Sequence, residues 1–150
     1  MIATAGIQAP EIAPTPFDVV LRRGPLTLRR YRAAGKRLPV PVVLVPSIIN
    51  RPYILDLREG QSLVAHLLSQ GLDVYLIDWG LPTQADAGLD LAAYSGRLMR
   101  DVLRSACATS GSASAHLFGY CLGGTFSLIA AARGLRKIAS VVALTTPVDM

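Results

Sequence analysis

The chain has 150 residues, 51% of them apolar and 17% charged, which is enough for one buried core and too apolar for a wholly disordered chain. Its net charge of +5 comes almost entirely from arginine. The arginines stand singly or in pairs, with no basic stripe and no interleaved aromatics, so an anionic substrate is expected and nucleic-acid binding is not.

Residues 1–16 carry three prolines and no periodicity, and are expected to form a flexible or loosely docked lead-in. Two short segments, 17–23 and 26–32, flank Gly24-Pro25 and read as a hairpin whose arginines point outward at an edge of the sheet. The run Val40-Pro41-Val42-Val43-Leu44-Val45 is continuously apolar, the mark of a strand covered on both faces. A proline-bounded loop from Pro46 follows. Residues 62–70 read as a helix stopped by Gly71. Residues 73–78 form the next strand, and 89–108 a second helix with Leu91, Tyr94, Leu98 and Val102 as its buried stripe. Beyond a Gly/Ser/Ala connection comes a strand entering at Ala115-His116-Leu117-Phe118, then a helix, then a buried strand over 138–144. The longest apolar run, 40–49, contains two prolines and is far too short to span a bilayer. With no secretory signal at the N-terminus, a soluble cytoplasmic chain is expected. The two cysteines, Cys107 and Cys121, fit neither a disulfide framework nor a zinc site, and no metal is expected.

Gly119-Tyr120-Cys121-Leu122-Gly123-Gly124 lies between the apolar strand and the following helix. Strand, tight turn and helix with a nucleophile at the apex is the setting that a G-x-C-x-G elbow requires. Positions two before and two after the thiol must be small, because strand and helix nearly touch there, and Gly119 and Gly123 meet that need. The backbone N–H of Leu122 points into the same space and can bind an oxyanion. In an elbow enzyme the loop after the first buried strand donates a second N–H, for which Ile48 is the positional candidate. The alternation of strands and helices argues for an α/β fold of the α/β-hydrolase type. Its sheet is mostly parallel with helices on both faces, and incomplete at the C-terminal end. Residues 17–150 then form the N-terminal part of a catalytic domain.

A thiol nucleophile needs a base. Only His66 and His116 are available, and both precede Cys121. His66 falls on the first helix. His116 lies five residues back along the elbow strand, more than about 10 Å from the apex at ~3.3 Å per residue. Both read as structural. Asp149 follows the last strand, where some elbow enzymes recruit an acid, although a turn-forming role suits it better. Asp56 and Asp78 sit near strand ends and read as structural, and Cys107 as a small packing residue.

From about Pro41 to Asp149 the chain resembles the polyhydroxyalkanoate synthases. The resemblance rests on Val45-Pro46-Ser47-Ile48-Ile49-Asn50-Arg51-Pro52-Tyr53-Ile54-Leu55-Asp56-Leu57, Asp73-Val74-Tyr75-Leu76-Ile77-Asp78-Trp79-Gly80, the elbow including Gly124, and Thr146-Pro147-Val148-Asp149. The NRPY and DVYLIDWG blocks look most like the short synthases that work with a second subunit. The resemblance implies an acyltransferase in which Cys121 attacks a 3-hydroxyacyl-CoA thioester, releases CoA and holds the acyl group for polyester formation. CoA would be a leaving group, and no cofactor is implied. Partners so implied are a second synthase subunit or a homodimer, and the polyester granule surface. In the family the aspartate and histidine lie downstream, so the isolated 150-residue chain is expected to be inactive. The elbow also resembles that of dienelactone hydrolases, which lack the two specific blocks. A truncated, non-catalytic module that binds granules or a partner is the third reading.

Overall fold

The computed structural model describes residues 12–32, 35 and 37–148. In chain order the elements begin with a hairpin of β1 (Phe17–Arg23) and β2 (Leu26–Tyr31), strand β3 (Val42–Val45) and a 3-10 turn (Pro52–Leu55). A small ribbon of β4 (Asp56–Arg58) and β5 (Gln61–Ser62) leads into helix α1 (Leu63–Ser69) and strand β6 (Val74–Asp78). A π-helical turn (Ala93–Leu98) runs into α2 (Met99–Ser110), followed by strand β7 (Ala115–Tyr120), helix α3 (Leu122–Ala132) and strand β8 (Ile138–Leu144). Among the described residues six strands form one sheet in the order β1-β2-β6-β3-β7-β8. The hairpin joins β6 antiparallel, while β6, β3, β7 and β8 run parallel.

All four side chains of β3 are buried because helices cover the sheet on both sides. Val43 and Val45 share one face with Tyr75, Ile77 and Leu117, closed by Met99, Val102 and Leu103 of α2 and by Phe126 and Ala130 of α3. Val42 and Leu44 share the other with Tyr31, Val74 and Leu76, closed by Leu55 and by Val64 of α1. Helix α1 begins where the Ser62 hydroxyl accepts the Ala65 N–H at 2.9 Å, a side-chain N-cap.

Three expectations change in the structure. Strand β8 is not buried: it is the last strand of the sheet, and only its Ile138 and Val141 pack beneath the helices, leaving Val142 and Leu144 47% and 42% exposed. Leu91 is outside the buried stripe of the second helix and is exposed. The wider winding of the π turn breaks the 3.6-residue phase between Leu91 and Leu98, and the Ser95 hydroxyl donates to the Leu91 carbonyl within it at 2.7 Å. Arg22 and Arg23 of β1 face solvent as expected, but Arg29 and Arg30 do not, because β2 is an interior strand flanked by β6. Arg29 pairs with Asp78, and Arg30 forms a two-pronged bond to Asp73 at 3.0 and 2.8 Å. The flexible or loosely docked lead-in expected over 1–16 lies outside the described residues up to position 11. The described part is docked: the Thr15 hydroxyl donates to the buried Asp56 carboxylate at 2.8 Å, and the Ala13 N–H to the Asp56 carbonyl at 3.0 Å.

Candidate active site

Cys121 stands between β7 and α3 with φ +54° and ψ −128°, a conformation rarely adopted by residues with a side chain. Such a residue costs roughly 1–3 kcal/mol and persists only where its surroundings over-determine it. Here they do. The Cys121 N–H donates to the Leu144 carbonyl of β8 at 3.0 Å, and the Cys121 carbonyl accepts the Gly124 N–H at 2.8 Å. The three glycines are required by contact. A methyl group at Gly119 would lie 2.6 Å from the Gly124 nitrogen, one at Gly123 would lie 2.7 Å from the Pro46 carbonyl oxygen, and one at Gly124 would lie 2.8 Å from the Thr146 Cβ. Strand, tight turn and helix thus meet at Cys121, with the thiol half-buried at the apex. Leu122 is the first residue of α3, so its N–H has no partner inside the helix.

The loop after β3 lies against the start of α3 through that Gly123–Pro46 approach. In it, Ser47 is buried and its hydroxyl accepts the Ile49 N–H at 3.1 Å, while Ile48 is 43% exposed. The loop is fastened from a second side. Trp79, just beyond β6, donates its indole N–H to the Pro46 carbonyl at 2.8 Å. Its ring meets Tyr94 and Phe126 edge-on at 5.2 and 5.9 Å between centroids, and Tyr94 stacks on Phe126. This aromatic trio links three separate segments around the site. Sequence reasoning did not single it out, although the chain's one tryptophan at the end of a buried strand was a signal.

The thiol has no base within reach among the described residues. His66 is exposed on α1. His116 sits at the far end of β7, with its Nδ1 2.8 Å from the Ser140 hydroxyl. Asp149 lies outside the described residues. Asp78 is engaged by Arg29 and by the Gly80 N–H, and Asp56 by Thr15 and Ser62. Residues 102–148 contain no acid at all. Cys107 is buried within the core under α2, and burial pushes its thiol pKa up. Among the described residues no cluster of three or more His, Cys, Asp or Glu could hold a metal ion. No helix among them is long and apolar enough to cross a membrane.

Comparison with known proteins agrees with this architecture. Residues 40–150 match the family model described as alpha/beta hydrolase fold. The chain belongs to the alpha/beta hydrolase family. Residues 8–67 match a second model, the N-terminus of poly-beta-hydroxybutyrate polymerase (PhaC), which overlaps the start of the alpha/beta hydrolase match. Relatives include the poly(3-hydroxyalkanoate) polymerase subunit PhaC of Synechocystis, 41% identical over 90% of this chain and 36% of that protein. The corresponding subunit of Allochromatium vinosum is also 41% identical, over 90% of this chain and 39% of that one. This alpha/beta hydrolase chain therefore spans well under half the length of these relatives. Among solved structures, epoxide hydrolase A from Mycobacterium thermoresistibile superposes with a TM-score of 0.60 at 20% identity, covering 86% of this chain and 38% of that one. That likeness concerns the fold alone.

Proposed function

We propose that the chain carries the nucleophile half of a polyhydroxyalkanoate synthase, an acyltransferase that polymerises 3-hydroxyacyl-CoA. The observation that carries this reading is the left-handed Cys121 at the strand-to-helix apex, in a chain 41% identical to a PhaC subunit over 90% of its length. The Cys121 sulfur attacks the thioester carbonyl, a new C–S bond forms, and the bond to CoA breaks. CoA leaves as the thiol, taking up the proton that Cys121 gives up. Oxygen charge in the tetrahedral intermediate falls to the N–H groups of Leu122 and Ile48. Exchange between two thioesters is nearly isoenergetic, so the acyl group stays activated until the hydroxyl of another unit displaces it. The base and its orienting acid come from outside the described residues. No cofactor takes part, and the partners of this reading are a second synthase subunit or second copy and the polyester granule, within the cytoplasm.

The test uses the product of the complete coding region, incubated with 3-hydroxybutyryl-CoA. CoA release is expected, together with a 3-hydroxybutyryl adduct on the peptide containing Cys121, and Cys121→Ala should lose both. Full CoA release by Cys121→Ala, or an adduct on Cys107 instead, would overturn the assignment.

A further inference from the structure

All five ion pairs formed among the described residues draw their acids from Asp18, Asp73, Asp78 and Asp101, and their arginines from positions 23–37. A second group of cations has no such partner. Arg100 and Arg104 stand one turn apart on the same face of α2. Arg133, Arg136 and Lys137 lie on the connection between α3 and β8. All five are exposed, none forms an ion pair among the described residues, and together with Leu135 they line one cleft of about 370 Å³.

We propose that this cleft binds a phosphoryl-bearing polyanion at a site separate from the thiol. Position supports the separation. Cys121 precedes the first residue of α3 and Arg133 follows its last, so the helix of 11 residues stands between them, roughly 16 Å at 1.5 Å per residue. The connection is held in one shape. Leu135 N–H donates to Ala130 carbonyl at 3.0 Å, Gly134 N–H to Ala131 carbonyl at 2.9 Å, and Lys137 carbonyl accepts the Ala115 N–H at 2.8 Å. The negative end of the α3 dipole offers only about half a charge against five. The compensation for these cations is therefore external.

The chemistry of the ligand follows from the lining. Four of the five cations are arginines, whose planar forks suit the paired oxygens of phosphoryl groups. A phosphate monoester brings roughly −1.5 to −2 charges, so two or three linked phosphoryl groups match the cleft. Its volume is at the lower end of small-ligand sites, about 300–1,000 Å³. No aromatic ring lines it, so there is no platform on which a base would stack, and a small polyphosphate fits better than a nucleic acid strand.

The experiment titrates the chain with tripolyphosphate, with sulfate at matched ionic strength as the reference, following the thermal midpoint and the heat of binding. Tripolyphosphate should raise the midpoint beyond sulfate. The double variant Arg104→Gln/Arg136→Gln should bind about tenfold or more weakly, whereas Arg22→Gln on β1 should not change affinity. A second arm offers phosphatidylglycerol vesicles against phosphatidylcholine vesicles. Vesicle binding that tripolyphosphate displaces and the double variant loses identifies the source of the phosphoryl groups as a lipid headgroup. Tripolyphosphate binding without vesicle binding identifies a soluble one. The proposal is overturned if tripolyphosphate does no more than sulfate, if the double variant binds as tightly as the parent, or if an oligonucleotide binds more tightly and tripolyphosphate cannot displace it.

Discussion

On the β1–β2–β6 side of the sheet the fastening is done by charge. Arg30 and Arg37 converge on the buried Asp73 carboxylate, the Tyr75 hydroxyl joins them, and Arg29 crosses to Asp78. On the β3–β7–β8 side the fastening is done by contact: Gly119 and Gly123 let strand, helix and loop backbones approach closer than any side chain permits, and Gly124 leaves room for the Thr146 side chain. No acid occurs between Asp101 and Asp149, and that side forms no ion pair among the described residues. The difference teaches where tolerance lies. Charged partners have long stems and can rearrange, whereas a backbone against a backbone cannot, and Cys121 with its φ of +54° is found on the unyielding side.

Substitution at the contact side should therefore have the largest effect. Gly123→Ala drives a methyl into the Val45 and Pro46 carbonyls and is expected to cost more than about 3 kcal/mol, read from the denaturant midpoint. Gly111→Ala keeps a left-handed φ of +75° but meets nothing within 4 Å, so only the ~1–2 kcal/mol of conformational strain should appear. Equal losses in the two variants would refute the contact argument. On the charge side, Asp73→Ala leaves Arg30 without its partner and is expected to cost about 3 kcal/mol. A loss below the strain-only variant would mean that Arg30 and Arg37 find water at little cost.

Cys121→Gly should raise stability by roughly 1 kcal/mol, since glycine accepts the left-handed backbone without strain, while removing the thiol. A lower midpoint would show that the thiol's packing outweighs the strain.

Tyr31→Phe tests the charge side through pH. The Tyr31 ring is fully buried and its hydroxyl has no hydrogen-bond partner among the described residues. Burial, aided by the Asp56 carboxylate, pushes its pKa up to about 12. Below pH ~10 the phenol is neutral in both folded and unfolded chains; from there to about 12 the unfolded chain loses its proton first, so stability falls as pH rises. Phenylalanine should leave neutral-pH stability within ~1 kcal/mol and make that alkaline decline shallower. Tyr75, raised in the same direction by burial and by Asp73, keeps part of it. An unchanged decline in Tyr31→Phe would show that Tyr31 is not responsible. The smallest effect belongs to Asp18→Asn, which removes an exposed pair with Arg32. No resolvable shift in midpoint is expected at physiological salt, and a clear one would mean that the outer edge of the hairpin matters more than its exposure implies.

Much of the scaffold was legible because it follows from local pattern. The hairpin at Gly24-Pro25, the four-residue run of β3 and the glycines at Gly119 and Gly123 each carry their own signal in spacing or composition. The features that were not legible depend on neighbours. Ile138–Leu144 has the composition of an interior strand, and its exposure arises from its place at the end of the sheet. Arg29 and Arg30 look like surface residues until β6 is placed beside them. Leu91 drops out of the stripe because of one π turn, which no 3.6-residue periodicity anticipates. The site divides in the same way: the apex and its glycines are written in six consecutive residues, whereas the indole clasp on the Pro46 loop joins positions 33 apart.

That clasp supplies an optical reporter. Trp79 is the chain's one tryptophan, it is 8% exposed, and it touches the Pro46 loop, the π turn and the elbow helix at once. Tryptophan fluorescence of this chain therefore comes from the place where the Pro46 loop meets the π turn and α3. Its emission maximum and quenching by acrylamide would follow the seating of that loop in real time, without a label, as denaturant, acyl-CoA or polyphosphate is added.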